Sequence, residues 1–284
     1  MELIEILLHS FGHPLIETLK MSPIIFLAYL LMEWLEHNES DKLKNTIKNS
    51  KRFGPLWASL LGLLPQCGFS GAVASMYATG TVTVGALLAV ILATSDEMLP
   101  VMLGAGVSAT IIITILLFKL AVGCVVGFTA DFILRRKNKT EEEHIHEFCE
   151  QEGCSCKDGI WLSALKHSLK VLVIIYFVSA LLDFAITLVP KETLMAILNF
   201  PVVSQVAASL IGLIPNCAVS VTLVQLYTSS ALGISPLICG LLTNGGVGLL
   251  VLFRVNKNLK NNLFITFIIF LSGLVFGTVA GFIL

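Results

Sequence analysis

Apolar residues fill long blocks of this chain, and short polar interruptions divide the blocks. Several blocks approach the roughly 20 residues that a helix needs to cross a bilayer. The pattern predicts single helices over about 14–36 and 161–188, and closing helices over about 111–134 and 259–284. Between them lie two kinds of interrupted segment, at about 54–78 and 204–228 and at about 80–103 and 230–253. In the first kind, an apolar run meets Pro65-Gln66-Cys67-Gly68 or Pro215-Asn216-Cys217-Ala218 and then resumes. Proline has no backbone donor and its ring crowds the preceding turn, so a helix breaks there. A broken helix at bilayer depth survives only where protein buries it or where it lines a polar cavity. Segment 54–78 therefore reads as a re-entrant hairpin or discontinuous helix with Pro65–Cys67 at its break.

The segments come in pairs because the chain repeats itself. A shift of 150 residues lays Ala58–Ser70 over Ala208–Ser220 without a gap, and thirteen of 46 positions from Ala58 to Leu103 are identical to their partners. The matches include Pro65/Pro215, Cys67/Cys217, Ser70/Ser220 and Tyr77/Tyr227, and Glu33 meets Asp183 at the same offset. Shared apolar composition would scatter leucine and valine matches, but would not pair prolines, cysteines and acids. The chain is a duplication.

Composition agrees with a membrane protein. Of 284 residues 56% are hydrophobic and 13% charged, against about 25% charge in soluble domains, and the mean hydropathy is +0.88. Nine charges crowd into Glu33–Arg52 and thirteen into Asp131–Asp158, which leaves the remaining segments almost bare. Soluble enzymes, nucleic-acid binders and disulfide scaffolds are excluded on this count, and the net charge of −1 gives no nucleic acid as partner. The N-terminus is acidic and interrupted by His9, Gly12, His13 and Pro14, unlike a signal peptide, and reads as an amphipathic lead-in helix.

Basic residues set the expected orientation. The loop after the first helix carries Lys42, Lys44, Lys48, Lys51 and Arg52, while its partner near 188–202 carries only Lys191. Gly104–Thr110 has no basic residue, while its partner region has Arg254, Lys257 and Lys260. By the positive-inside rule the halves then lie in opposite orientations. The expected fold class is an all-α polytopic membrane protein of two inverted-topology repeats, each of about five segments with proline-broken or re-entrant helices. The first repeat spans 1–134, a linker 135–158 falls in the cytoplasm, and the second repeat spans 159–284. Secondary transporters share this plan and hold their substrate near the midplane between repeats.

Polar groups inside apolar segments are the candidate site, because each costs insertion energy and so marks a pathway. Thr94, Ser95, Asp96 and Glu97 interrupt one segment, with Asn244 at the start of the partner interruption. Two carboxylates and two hydroxyls facing a cavity suit a hard or borderline cation such as Mn²⁺. Read blandly, the same residues form a solvated interfacial turn. Glu33 and Asp183 form a second pair, as a proton relay or as cation ligands. Gln66, Cys67 and Ser70 with Asn216, Cys217 and Ser220 complete the set at the proline breaks. There, half-helix N-termini attract anions and C-terminal carbonyls attract cations. Tyr77 and Tyr227 read as interfacial anchors, and Lys119 as a side chain that snorkels.

In the linker, His144, His146, Cys149, Cys154 and Cys156 give an H-x-H-x-x-C-x₄-C-x-C pattern of the type a soft metal uses. It matches no zinc-finger spacing, and an acidic loop with incidental cysteines is the plainer reading. No cofactor is required, with a metal ion at this accessory linker site as the exception.

The breaks at Pro65 and Pro215, the run ATSDEMLP and the run LLTNGGVGLLVLFRVN resemble a bacterial family of ten-segment heavy-metal exporters. Members are variously called arsenic-efflux proteins or manganese transporters. The resemblance implies export across the bacterial plasma (inner) membrane, with ten segments as five per half. Together with the residues it points to a secondary transporter that exports a transition-metal ion, Mn²⁺ favoured, by proton-coupled alternating access. Export of arsenite or an oxyanion is the alternative, held by half-helix N-termini and cysteines, and an ion channel is the third reading. The partners are then the metal ion or oxyanion, protons and the lipid bilayer, with a homo-oligomer left open. No G-x-x-x-x-G-K-[ST] loop occurs, so in-chain ATP hydrolysis is excluded. Intramembrane protease signatures are also absent.

Overall fold

A computed structural model of the chain describes residues 53–134, 160–187 and 201–283, apart from 67, 79, 96 and 97, together with most of residues 12–30. Among the described residues 84% are helical and none is in a strand. The helices are α1 (Gly54–Gly62), α2 (Gly68–Ala78), α3 (Val84–Ala93), α4 (Met98–Gly104), α5 (Ala109–Leu134), α6 (Ile160–Thr187), α7 (Pro201–Gly212), α8 (Cys217–Thr228), α9 (Ile234–Thr243), α10 (Val247–Val255) and α11 (Leu259–Ile283). A further helical stretch occupies the described part of residues 12–30. Among the described residues, four spans are long and apolar enough to cross a membrane: Val84–Gly104, Ala109–Leu134, Ile234–Val255 and Leu259–Phe282.

The 150-residue offset carries through the structure. Each helix from α1 to α5 has its counterpart among α7 to α11, and both proline breaks use the same backbone bonds. The Gln66 amide donates to the Leu64 carbonyl at 2.7 Å, and the Asn216 amide to the Ile214 carbonyl at 2.7 Å. The turns after α2 and α8 match as well, with Gly80 N bonded to Tyr77 O and Ser230 N to Tyr227 O. Both leading helices end earlier than their prolines, at Gly62 and Gly212. The proline supplies no donor, and the residue before it avoids helical geometry, so the helix must close ahead of it.

Burial sorts the helices into an inner and an outer set. Every residue of α3 from Gly85 to Ala93 is buried, as is α9 from Pro236 to Thr243. A helix apolar on all sides belongs in a protein core. Helices α5 and α11 have two faces: Ile112, Ile115, Val122 and Val126 point inward on α5, while Ile113, Leu117 and Phe132 are exposed. In a multi-pass membrane protein that exposed face meets lipid.

Glycines bring the inner and outer helices together. Gly123 and Gly127 on α5, and Gly273, Gly277 and Gly281 on α11, recur every four residues, the spacing of close-packed membrane helices. A Cβ on Gly127 would lie 2.6 Å from the Gly85 carbonyl and 2.9 Å from Ala89 Cβ, and one on Gly277 would lie 2.6 Å from the Cys239 backbone. The α3–α5 contact also has a polar clasp. Thr83 Oγ1 donates to Asp131 Oδ2 at 2.8 Å, and the Gly85 amide donates to Asp131 Oδ1 at 2.8 Å. A carboxylate placed there serves the open N–H groups and the positive end of α3. Asp131→Ala is expected to cost about 1–3 kcal/mol, the loss for charge-assisted bonds, and to lower the melting temperature in detergent. A melting curve unchanged from wild type would contradict this packing.

The two repeats are interwoven rather than side by side. Helix α2 of the first packs against α10 of the second, and α8 of the second packs against α4 of the first. Helices α3 and α9 also touch across the middle. Each repeat therefore lends its half-helices to a shared centre.

Candidate functional site

Among the described residues, four chain breaks meet at that centre, at 63–66, 94–95, 213–216 and 244–246. A break leaves the last carbonyls of one helix and the first amides of the next without helical partners. Inside a membrane these groups must find other partners, and the polar residues of the breaks supply them.

Ser95 joins the two breaks of the first repeat. Its amide donates to the Gly62 carbonyl at 3.0 Å, and its Oγ donates to the Leu63 carbonyl at 2.7 Å. Two carbonyls left open by the end of α1 are thereby satisfied. Thr94, beside it, donates to the Val90 carbonyl of its own helix at 2.6 Å. Both side chains are buried. In the second repeat the position of Ser95 is Gly245, and the side-chain bridge between α7 and α9 lies elsewhere, with Gln205 Nε2 donating to Ser235 Oγ at 2.9 Å. Thr243 Oγ1 there serves the carbonyls of Cys239 and Gly240, each at 3.1 Å.

Asparagines cap the helices that start at the breaks. Asn216 Oδ1 accepts from the Ala218 amide at 3.0 Å at the start of α8, and Asn244 Oδ1 accepts from the Gly246 amide at 3.0 Å ahead of α10. Side-chain oxygens at these positions satisfy amides that would otherwise be orphaned. Gly246 holds φ +49°, which a side chain would strain. Ser220 Oγ donates to the Cys217 carbonyl at 2.7 Å, and Cys217 is buried.

Close approaches knit the breaks into one region. A Cβ on Gly248, in the first turn of α10, would lie 2.8 Å from Ser70 Cβ in the first turn of α2. A Cβ on Gly245 would lie 2.9 Å from Ile91 Cγ2, near the end of α3. The candidate residues Ser70, Thr94, Ser95, Asn216, Cys217, Ser220 and Asn244 thus line the joined ends of the short helices, all of them buried.

Gln66 behaves differently from its partner Asn216. It is only half-buried, and its Nε2 donates to the Lys20 carbonyl at 2.8 Å, which ties the break to the N-terminal helical stretch. Glu33, Cys67, Asp96 and Glu97 lie outside the described residues, as do His144, His146, Cys149, Cys154 and Cys156 of the linker. Asp183 sits on α6, with its side chain outside the description. Among the described residues no group of three or more His, Cys, Asp or Glu comes together.

Lys119 corrects the expectation that it snorkels. It is 1% exposed, the one charged residue in the buried set among the described residues. The reason lies in its neighbours on α5. A Cβ on Gly127 would meet Gly85 and Ala89, and one on Gly123 would meet Ala89 and Ala93, so the two helices run antiparallel. One turn before Gly123, Lys119 stands at the level of the break after Ala93. Its Nζ donates to the Leu241 carbonyl in the last turn of α9. The sequence signal for this role was present: Lys119 is the lone charge between Glu97 and Asp131. Tyr77 is also engaged, accepting from Asn261 Nδ2 at 2.5 Å.

This arrangement offers both signs of helix end. Carbonyl ends of α1, α3, α7 and α9 can hold a cation, while the amide ends of α2, α8 and α10 favour an anion. A family described as proposed 10TM heavy-metal exporters (ArsP_2) matches residues 4–190, about two thirds of the chain. The chain belongs to this family. The matched region takes in α1 to α6, and α7 to α11 lie beyond it. No curated protein and no solved structure matches. Membership and the apolar spans make this ArsP_2 member a multi-pass membrane protein of an exporter family rather than an enzyme family.

Proposed function

We propose that the chain is a secondary transporter that exports a divalent transition-metal ion, Mn²⁺ foremost, from the cytoplasm by proton-coupled alternating access. The observation that carries this reading is the meeting of four broken helix ends at one buried polar centre built from both repeats. Irregular backbone at bilayer depth has a purpose only where it faces a partner or a path, and transporters place their substrates at such breaks. Opposite basic-residue bias in the two halves supports an inverted relation between the repeats, which alternating access exploits. Thr94, Ser95, Asp96 and Glu97 would supply oxygen ligands to the ion, with Ser70, Asn216, Ser220 and Asn244 shaping the centre and Cys67 and Cys217 beside it. Glu33 and Asp183 would carry the counter-moving protons. The linker histidines and cysteines would act as an accessory metal-capture site, and the basic residues around it support a cytoplasmic position.

Specific observations favour a second reading, export of arsenite or an oxyanion. Three amide helix ends and the Lys119 ammonium are all at the centre, and all are positive. Uptake into everted inner-membrane vesicles separates the two. The expected outcome is Mn²⁺ accumulation driven by respiration and collapsed by a protonophore. Arsenite accumulation without Mn²⁺ accumulation would replace the first reading by the second. Transport that persists after the proton gradient is abolished would point to a channel.

A further inference from the structure

The repeat offset exposes an asymmetry at the centre. Lys119 corresponds to Ile269 on α11, which is fully buried, and Leu241 corresponds to Ile91 on α3. The carbonyl of Leu241 would bond the Gly245 amide if α9 continued, but α9 ends at Thr243. The Lys119 ammonium donates to it instead. The end of α3 is handled locally, with the Thr94 amide donating to the Ile91 carbonyl at 3.3 Å. One carbonyl end at the centre therefore holds an ammonium of the protein's own, while the equivalent carbonyl in the other repeat is served by a backbone amide.

We propose that the Lys119 ammonium is a tethered cation that the cargo displaces. Building on the metal-export reading above, it holds the carbonyl end of α9 while no metal ion is bound, and it withdraws when a divalent ion enters. Three features carry this. An ammonium is costly at this depth unless it is held, and a negative helix end is what holds it. The lysine stem is long and unbranched, so its head can move without moving α5. A divalent ion and an ammonium within a few ångströms repel strongly in a water-poor site, so the two are alternative occupants of one centre. Return of the ammonium then helps expel the metal ion on the far side of the membrane. A capping role alone would change stability but not metal affinity.

The test is Mn²⁺ binding to the purified full-length chain in nanodiscs, read from free Mn²⁺ by electron paramagnetic resonance. Wild type is compared with Lys119→Gln, which keeps a donor for the Leu241 carbonyl, with Lys119→Met, and with Lys119→Arg. Either neutral variant suffices if the other fails to fold. The expected result is binding at least about tenfold tighter in the neutral variants, because the repulsion is gone, and no tighter in Lys119→Arg. Neutral variants that bind Mn²⁺ no tighter than wild type overturn the proposal while leaving metal export standing. Binding by the neutral variants alone upholds the tethered cation and removes Mn²⁺ as the wild-type cargo. Absence of binding in all of them overturns both. Arsenate bound by wild type and lost in Lys119→Gln also overturns the proposal, since the ammonium would then anchor an anion.

Discussion

Gly277→Leu is expected to leave little folded protein. A Cβ at this position would lie 2.6 Å from both the backbone nitrogen and the Cα of Cys239. Those atoms belong to the interior of α9, which is buried along its length and cannot yield as a flexible side chain could. A leucine adds three more carbons to the conflict, so α11 must separate from α9. Overpacking typically costs about 1–3 kcal/mol where neighbours can adjust, and more where they cannot. Against total stabilities of about 5–15 kcal/mol, such a loss at the main helix contact of the second repeat is severe. The yield of monodisperse protein in detergent should fall sharply, and any remainder should melt earlier. Val275→Leu, on the exposed side of the same helix, should behave as wild type. A Gly277→Leu protein with wild-type yield and melting would contradict the α9–α11 contact.

Ser95→Val is expected to stop transport while sparing much of the fold. The Ser95 amide would still reach the Gly62 carbonyl, since that bond needs no side chain. The Leu63 carbonyl, however, loses its hydroxyl partner and faces two methyl groups. A buried acceptor left unmet costs about 1–3 kcal/mol, which the break can relieve by moving. Movement there displaces Thr94 and the start of the 94–97 interruption, where the cargo is proposed to bind. Transport should fall at least about tenfold, the equivalent of 1.4 kcal/mol at the barrier. Thr94→Val is the informative contrast. Its hydroxyl donates to a carbonyl of its own helix α3 at 2.6 Å, so this variant leaves the relation between the breaks intact and removes only an oxygen proposed as a ligand of the ion. A Ser95→Val protein that transports at the wild-type rate would separate this serine from the site.

Particular residues show how far the sequence reaches and where it stops. Pro65 and Pro215 mark the breaks because proline acts on its own local backbone, and the breaks at 63–66 and 213–216 include those prolines. The duplication was legible because polar and proline positions recur at one offset. Thr94, Ser95, Asn216, Ser220 and Asn244 stood out as polar groups in apolar runs, and the structure brings them together. The partners they choose had no local signature. Ser95 bonds to Leu63 and Lys119 to Leu241, across 32 and 122 residues, and only three-dimensional packing brings those carbonyls into reach. Nor does any single segment reveal that α2 packs on α10 and α8 on α4. The glycine spacing on α5 and α11 was readable and marks the tightest contacts. Gln66 and Asn216 show the limit of repeat logic: equivalent positions in sequence, one bonded to the N-terminal stretch and the other capping α8.

The proposed export has a cation bind at the break after α3 and leave the cytoplasm from there. It is tested most directly by Mn²⁺ uptake into everted vesicles, comparing wild type with Asp96→Asn at matched protein levels. Mn²⁺ accumulation by wild type and its loss in Asp96→Asn are expected, because the amide removes a charged oxygen ligand but keeps the side chain's size. Undiminished Mn²⁺ accumulation in the variant would contradict a carboxylate site at this break. Arsenite accumulation unaffected by the substitution would move the substrate to the amide ends and cysteines of the proline breaks.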